Sequence, residues 1–173
     1  VHVCQHLTGR KGFKIPKMNI GEDITPDPVN LLQTNRNIGY DITDAIADLI
    51  DNSISAKSTF IDLRFEWNDG FPSFAIVDNG VGMDGTTGEL VNAFKLATKS
   101  PVLERSEDDL GRYGSGLKTA SLSQSRSFIV ISKTAHSKVC ARALDLDFIQ
   151  TEGKGWRLKI ISSEDYSNFR EIL

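Results

Sequence analysis

Three short stretches of the chain carry side chains whose types and spacing suit phosphate and purine chemistry. The first is Asp48-Leu-Ile-Asp-Asn52-Ser, an acid and an amide separated by one helical turn. An amide oxygen is a hard ligand suited to Mg²⁺ beside phosphates, and a carboxylate one turn away can orient or deprotonate an attacking water. In the second, Asp78-Asn-Gly80-Val-Gly82-Met83, an acid at a strand end is followed at once by two glycines. That carboxylate can accept a hydrogen bond from an exocyclic amine such as adenine's, while the glycines let a flat ring lie close to the backbone. The third, Gly111-Arg-Tyr113-Gly114-Ser115-Gly116-Leu117-Lys118, opens an apolar-periodic segment. Missing side chains let its N–H groups approach phosphate oxygens, and a following helix N-terminus adds unpaired donors.

Each stretch alone has a plainer reading. Asp48 and Asn52 suit a solvated helix flank, Asp78-Asn-Gly80 suits a turn, and a glycine-rich run without a strand directly before it is not a dinucleotide fingerprint. All three in order, each beside the element its chemistry requires, is expected by chance at a rate on the order of one in a thousand or less. They are expected to form one nucleotide site.

The elements that must position them can be read from hydrophobic spacing. Ile42, Ala45, Ile46, Leu49, Ile50 and Ile54 predict an amphipathic helix from Asp41, its cap, to about Ala56. Asp48 and Asn52 then lie together at one border of the apolar arc. Residues 59–67 alternate, with Ile61, Leu63, Phe65 and Trp67 on one side and Asp62, Arg64 and Glu66 on the other, which predicts a strand whose charged face is wet. Asn68-Asp69-Gly70 supplies a turn, and residues 74–77 pair back as a hairpin that runs into Asp78. A helix is expected over 87–98, a polar loop over 99–112, a helix over 117–122, and strands over 127–132, 138–144 and near 156–162. Residues 21–40, rich in Pro, Asn and Gly, read as a turn-rich approach. This order predicts an α/β sandwich, helices on one face of a mixed or antiparallel sheet.

Composition sets the outer bounds. A length of 173 residues, 39% hydrophobic and 25% charged, fits one globular domain and excludes disorder and low-complexity classes. A net charge of -3 gives no global reason to expect a nucleic-acid or anionic-membrane surface. No apolar run is long enough for a membrane span and no secretory leader is visible, so a cytoplasmic protein is expected. Cys4 and Cys140 stand far apart and are expected to be free thiols. Residues 1–20 read as a loosely held leader before a domain over 21–173; the alternation of His2, Cys4 and His6 lacks a clear fourth ligand for a metal.

Over roughly residues 38–133 the three stretches resemble, in order and at sensible distances, the N, G1 and G2 boxes of the GHKL ATPase superfamily, which groups DNA gyrase, heat-shock chaperones, histidine kinases and MutL. The resemblance implies the Bergerat fold, a sheet covered on one face by helices with ATP between them under a flexible lid. It implies that Asn52 coordinates Mg²⁺ and that Asp78 binds the adenine amine. Gly80, Gly82 and Met83, with Ala56 nearby, would form the adenine pocket. Residues 100–113 would be the lid, and Gly111, Tyr113, Gly114, Ser115, Gly116 and Leu117 would surround the phosphates. Lys99 resembles a chaperone position that reaches phosphate, and Lys118 a position of microrchidia-type members. An acid at the first position of the N box favours the branch of gyrase, chaperones, MutL and microrchidia.

The family's hydrolytic members usually carry Glu where Asp48 stands, and Asp is one methylene shorter. Three alternatives follow from the resemblance: an ATP-driven conformational and dimerisation switch with slow hydrolysis by way of Asp48, a nucleotide-sensing module without hydrolysis, and a protein kinase of the histidine-kinase or anti-sigma type. The chain reaches Leu173 without the Gly-Thr pair and closing strand that the family uses late in the domain, so a truncated C-terminal end is expected. DNA or a client protein would be engaged, if at all, through regions outside this chain.

Overall fold

A computed structural model describes residues 25–36, 39–95, 116–152 and 155–166. Its elements are α1 (Pro28–Arg36), α2 (Ile42–Ser55), β1 (Ile61–Glu66), β2 (Ser73–Asp78), α3 (Glu89–Phe94), α4 (Gly116–Gln124), β3 (Ser127–Ser132), β4 (Cys140–Asp145), α5 (Leu146–Glu152), β5 (Lys159–Ile161) and α6 (Ser163–Tyr166). Helices combined with antiparallel strands are the α/β class expected from the residue pattern. The described strands do not form one continuous sheet: β1 and β2 make a hairpin of their own, and β3-β4-β5 make a second antiparallel sheet.

Asp41 caps α2 as expected, its carboxylate accepting from Thr43 N at 3.0 Å. α1 was not expected in the turn-rich stretch. It forms because Asp27 accepts from Asn30 N at 2.8 Å and Pro28 occupies the first helical turn, where its missing N–H costs nothing. Val29 and Leu32, three apart on α1, then turn into the core. α5 starts in the same way, with Asp145 accepting from Asp147 N at 2.9 Å and Phe148 N at 3.1 Å. α3 is shorter than the expected helix over 87–98: it ends at Phe94, Lys95 has extended backbone, and residues 96–98 lie outside the described residues.

The core gathers Val29 and Leu32 of α1, Leu90 and Phe94 of α3, Leu122 of α4, Leu144 of β4, and Leu146 and Ile149 of α5. Met83, at the end of the second motif, packs against it. This fixes one end of the Asp78–Met83 loop to the main apolar mass.

The hairpin corrects one expectation. The apolar side of β1 is the open one, with Leu63 39%, Phe65 64% and, just past the strand, Trp67 76% exposed. Asp62 and Arg64, expected to face water, are half-buried and pair with each other at 2.7 Å. Antiparallel register explains the clustering, since Leu63 lies opposite Ile76 and Phe65 opposite Phe74, whose rings are 4.7 Å apart. These side chains cover one another across the two strands.

Candidate functional site

α2 is the spine of the site. Asn52 donates from Nδ2 to the Asp48 carbonyl at 2.9 Å and is exposed. That bond commits the amide nitrogen and leaves Oδ1, the hard donor, for a cation, which fits Mg²⁺ held together with phosphate oxygens. Ser53, the next residue, is buried and donates to Asp78 Oδ2 at 2.9 Å. Asp78 Oδ1 accepts from Ser58 Oγ at 3.0 Å and from Gly80 N at 2.8 Å. The carboxylate that ends β2 is therefore aimed by α2 and by the turn after it. Serine hydroxyls and a turn amide can share its lone pairs with an incoming amine.

The loop after Asp78 is fastened on both sides. Val81 N donates to the Ala56 carbonyl at 2.9 Å, and a side-chain carbon on Gly80 would stand 2.7 Å from Ala56 Cβ. Gly82 has a positive φ of +69°, and a carbon there would fall 1.9 Å from the Lys133 carbonyl oxygen. Only glycine satisfies both conditions at 82. Met83 N then donates to Ser132 Oγ at 2.8 Å, which ties the loop to β3. Asn79 adds a third fastening: its Oδ1 accepts from Thr59 N and Phe60 N at 2.9 Å and 3.0 Å.

The third motif enters where α4 begins. A carbon on Gly116 would lie 3.4 Å from Asp48 Oδ2, so the first residue of α4 sits against the acid of the first motif. Leu117 is half-buried in the same turn. Lys118 is 2% exposed, and its Nζ donates to the Ala93 carbonyl at 2.9 Å, near the end of α3. Burial holds this ammonium below the ordinary lysine value. Lys99, Gly111, Tyr113, Gly114 and Ser115, the lid over 100–113, and His2, Cys4 and His6 lie outside the described residues.

The described structure thus brings Asp48, Asn52, Asp78, Gly80 and Gly116 around α2 and its C-terminal turn, with Ala56 in that turn. Four supporting residues had no role in the sequence reading: Tyr40, whose hydroxyl donates to Asp48, and Ser53, Ser58 and Asn79. Ser53 adjoins Asn52 within the first motif, and that adjacency was the only signal for it. Nothing in the spacing of Tyr40 pointed to Asp48.

A separate cleft of about 360 Å³ lies past the far end of the loop, lined among others by Asp84, Gly85, His136, Lys138 and Arg142. None of the sequence-predicted site residues lines it. Among the described residues no three His, Cys, Asp or Glu side chains gather as a metal site, and Cys140 is a free thiol. No helix among the described residues is long and apolar enough to cross a membrane.

Comparison with known proteins gives consistent relatives. The family model described as histidine kinase-, DNA gyrase B-, and HSP90-like ATPase matches residues 40–173. The chain is 33% identical over 126 residues to "ATPase MORC2B" of Mus musculus, covering 70% of this chain and 12% of that protein. It is 32% identical over 127 residues to "ATPase MORC2" of Homo sapiens, covering the same shares. It is 27% identical over 107 residues to "Protein MICRORCHIDIA 6" of Arabidopsis thaliana, covering 59% of this chain and 15% of that protein. The chain therefore spans a small part of the length of the curated relatives it matches.

Proposed function

The chain belongs to the family of histidine kinase-, DNA gyrase B- and HSP90-like ATPases, and from that membership we propose that it binds Mg-ATP along α2 and uses the nucleotide as a conformational switch with slow hydrolysis. The observation that carries this reading is the convergence on one helix. Ser53 of α2 holds Asp78, and Gly116 of α4 abuts Asp48 of α2, so α2 links the purine-reading acid to the phosphate-holding turn.

Asp78 accepts the adenine amine, and the Gly80–Gly82 backbone, backed by Ala56, forms the floor under the ring. Asn52 Oδ1 would hold Mg²⁺, which when bound neutralises charge on the phosphates. The amides at Gly114–Gly116 would receive the terminal phosphate, and Lys99 and Lys118 would add positive charge for it. Asp48 polarises the attacking water. Ordering of residues 100–113 over the nucleotide supplies the two-state element, and closure promotes association of two copies. Relatives whose names include ATPase support turnover as the output.

Phosphate release from wild type, Asp48→Ala and Asp48→Glu tests the reading. Wild type is expected to turn over slowly and Asp48→Ala to lose about 100-fold or more, the usual worth of a general base. Turnover unchanged in Asp48→Ala would remove this residue from the mechanism. ATP titration of Asp78→Asn tests the adenine assignment, and undiminished affinity would overturn it. One observation favours a second reading, a nucleotide sensor without hydrolysis: the carboxylate at position 48 is an Asp, one methylene shorter than Glu. ATP binding with no phosphate release from wild type is the outcome that would select it.

A further inference from the structure

Asp48 has a partner that lies in none of the three motifs. The Tyr40 hydroxyl donates to Asp48 Oδ2, and Tyr40 is itself held in place. Gly39 turns the chain just before it at a φ of +78°, and Gln124 Nε2, in the last turn of α4, donates to the Tyr40 carbonyl at 3.1 Å. The opposite end of α4 closes on the same carboxylate, since Gly116 lies against Asp48 Oδ2. One oxygen of Asp48 is thereby anchored, and Oδ1 accepts no hydrogen bond among the described residues.

We propose that Tyr40 is a positioning residue for ATP hydrolysis: its hydroxyl fixes the short Asp48 side chain through Oδ2, so that Oδ1 is presented to the attacking water. This rests on the ATPase reading above. In the step served, the water oxygen bonds to the terminal phosphorus and the bond from that phosphorus to the ADP oxygen breaks. The bonding electron pair leaves on ADP, and the water proton passes to Asp48 Oδ1. An aspartate χ2 is soft and roughly two-fold, so an unanchored carboxylate would present either oxygen over a broad arc. A misplacement of about 1 Å can cost 100-fold in rate. The anchor is available throughout the physiological range. The hydrogen bond to Asp48, with burial and the charges of Asp48 and Asp44 adding to it, pushes the phenol up to about 12.

The test is a double-mutant cycle on the full chain, with steady-state phosphate release and ATP binding measured for wild type, Tyr40→Phe, Asp48→Ala and the double variant. Tyr40→Phe is expected to lower kcat about 10- to 100-fold and to leave ATP affinity within about two-fold, because only the hydroxyl is removed. In the Asp48→Ala background it should cost nothing further. A structural strut would instead weaken binding and turnover together and would add its loss to that of Asp48→Ala. Gln124→Ala keeps the phenol and loosens only its backbone tether. It is expected to lower kcat in the same direction, with no further loss on top of Tyr40→Phe. Wild-type turnover retained in Tyr40→Phe, or full additivity in the double variant, overturns the proposal alone. ATP binding without phosphate release from wild type overturns the hydrolytic reading, and this one with it.

Discussion

Replacing three glycines of the loop region by alanine separates backbone strain from steric overlap, because the structure gives each a different combination. Gly88 has a φ of +87° with nothing within 4 Å of a new side-chain carbon. Gly88→Ala therefore incurs strain alone, roughly 1–2 kcal/mol for a left-handed residue, offset by up to about 1 kcal/mol from a stiffer unfolded chain. Gly80 lacks the positive φ, but its carbon would meet Ala56 Cβ at 2.7 Å, the Ala56 carbonyl at 2.8 Å and Ser58 Oγ at 2.8 Å. Overlap of that kind costs about 1–3 kcal/mol.

Gly82 combines both penalties, a φ of +69° and a side-chain carbon that would stand only 1.9 Å from the Lys133 carbonyl oxygen. Relieving it pulls the loop off β3 and strains the adjacent Met83–Ser132 bond, worth about another 1 kcal/mol. Gly82→Ala is therefore expected to lose roughly 3–5 kcal/mol. In urea, where small domains lose about 1–3 kcal/mol per molar, its midpoint should fall by more than about 1 M, and by clearly more than that of Gly88→Ala under the same conditions. A Gly82→Ala stability within about 0.5 kcal/mol of Gly88→Ala, the usual scatter of surface substitutions, would refute the placement of this loop against β3.

Two further outcomes concern protons. Tyr40 should ionise at about 12 rather than 10, read from tyrosinate absorbance, and Asp48→Asn should return one tyrosine toward the ordinary value. Because the folded value is the higher one, the stability from this bond is complete below pH 10 and is lost as pH rises through 12. Lys118 acts in the opposite sense. Burial lowers its value from 10.5, so the fold binds fewer protons than the unfolded chain below that pH, and stability rises with pH up to it. Unfolding free energies measured as pH approaches 10.5 from below should show that rise in wild type and a flatter line in Lys118→Met; equal slopes would contradict the buried ammonium.

The parts of the fold that were legible in the sequence are those set by local periodicity. The α2 stripe, its Asp41 cap and the turn between β1 and β2 each follow from residues within a few positions of one another. α1 is not legible because the Pro, Asn and Gly content of residues 21–40 suits turns as well as it suits the Asp27-Pro28 helix start. The side of β1 that meets protein could not be read, because alternation gives two faces and not which of them another element covers. For the site, the motif chemistry was visible, while its supports were not. Ser58 reaches Asp78 only after the hairpin has folded back, and Tyr40 meets Asp48 from just before the cap of the same helix, a contact with no fixed sequence spacing.

The central claim is that three separated stretches grip one nucleotide. Amide chemical shifts of the ¹⁵N-labelled chain titrated with Mg-ADP test it most directly. The expected result is that the backbone amides of Asn52, Gly80, Gly82 and Gly116 shift together along one binding curve. Shifts confined to the cleft beside Asp84, His136 and Arg142, or separate curves for the separate motifs, would contradict it.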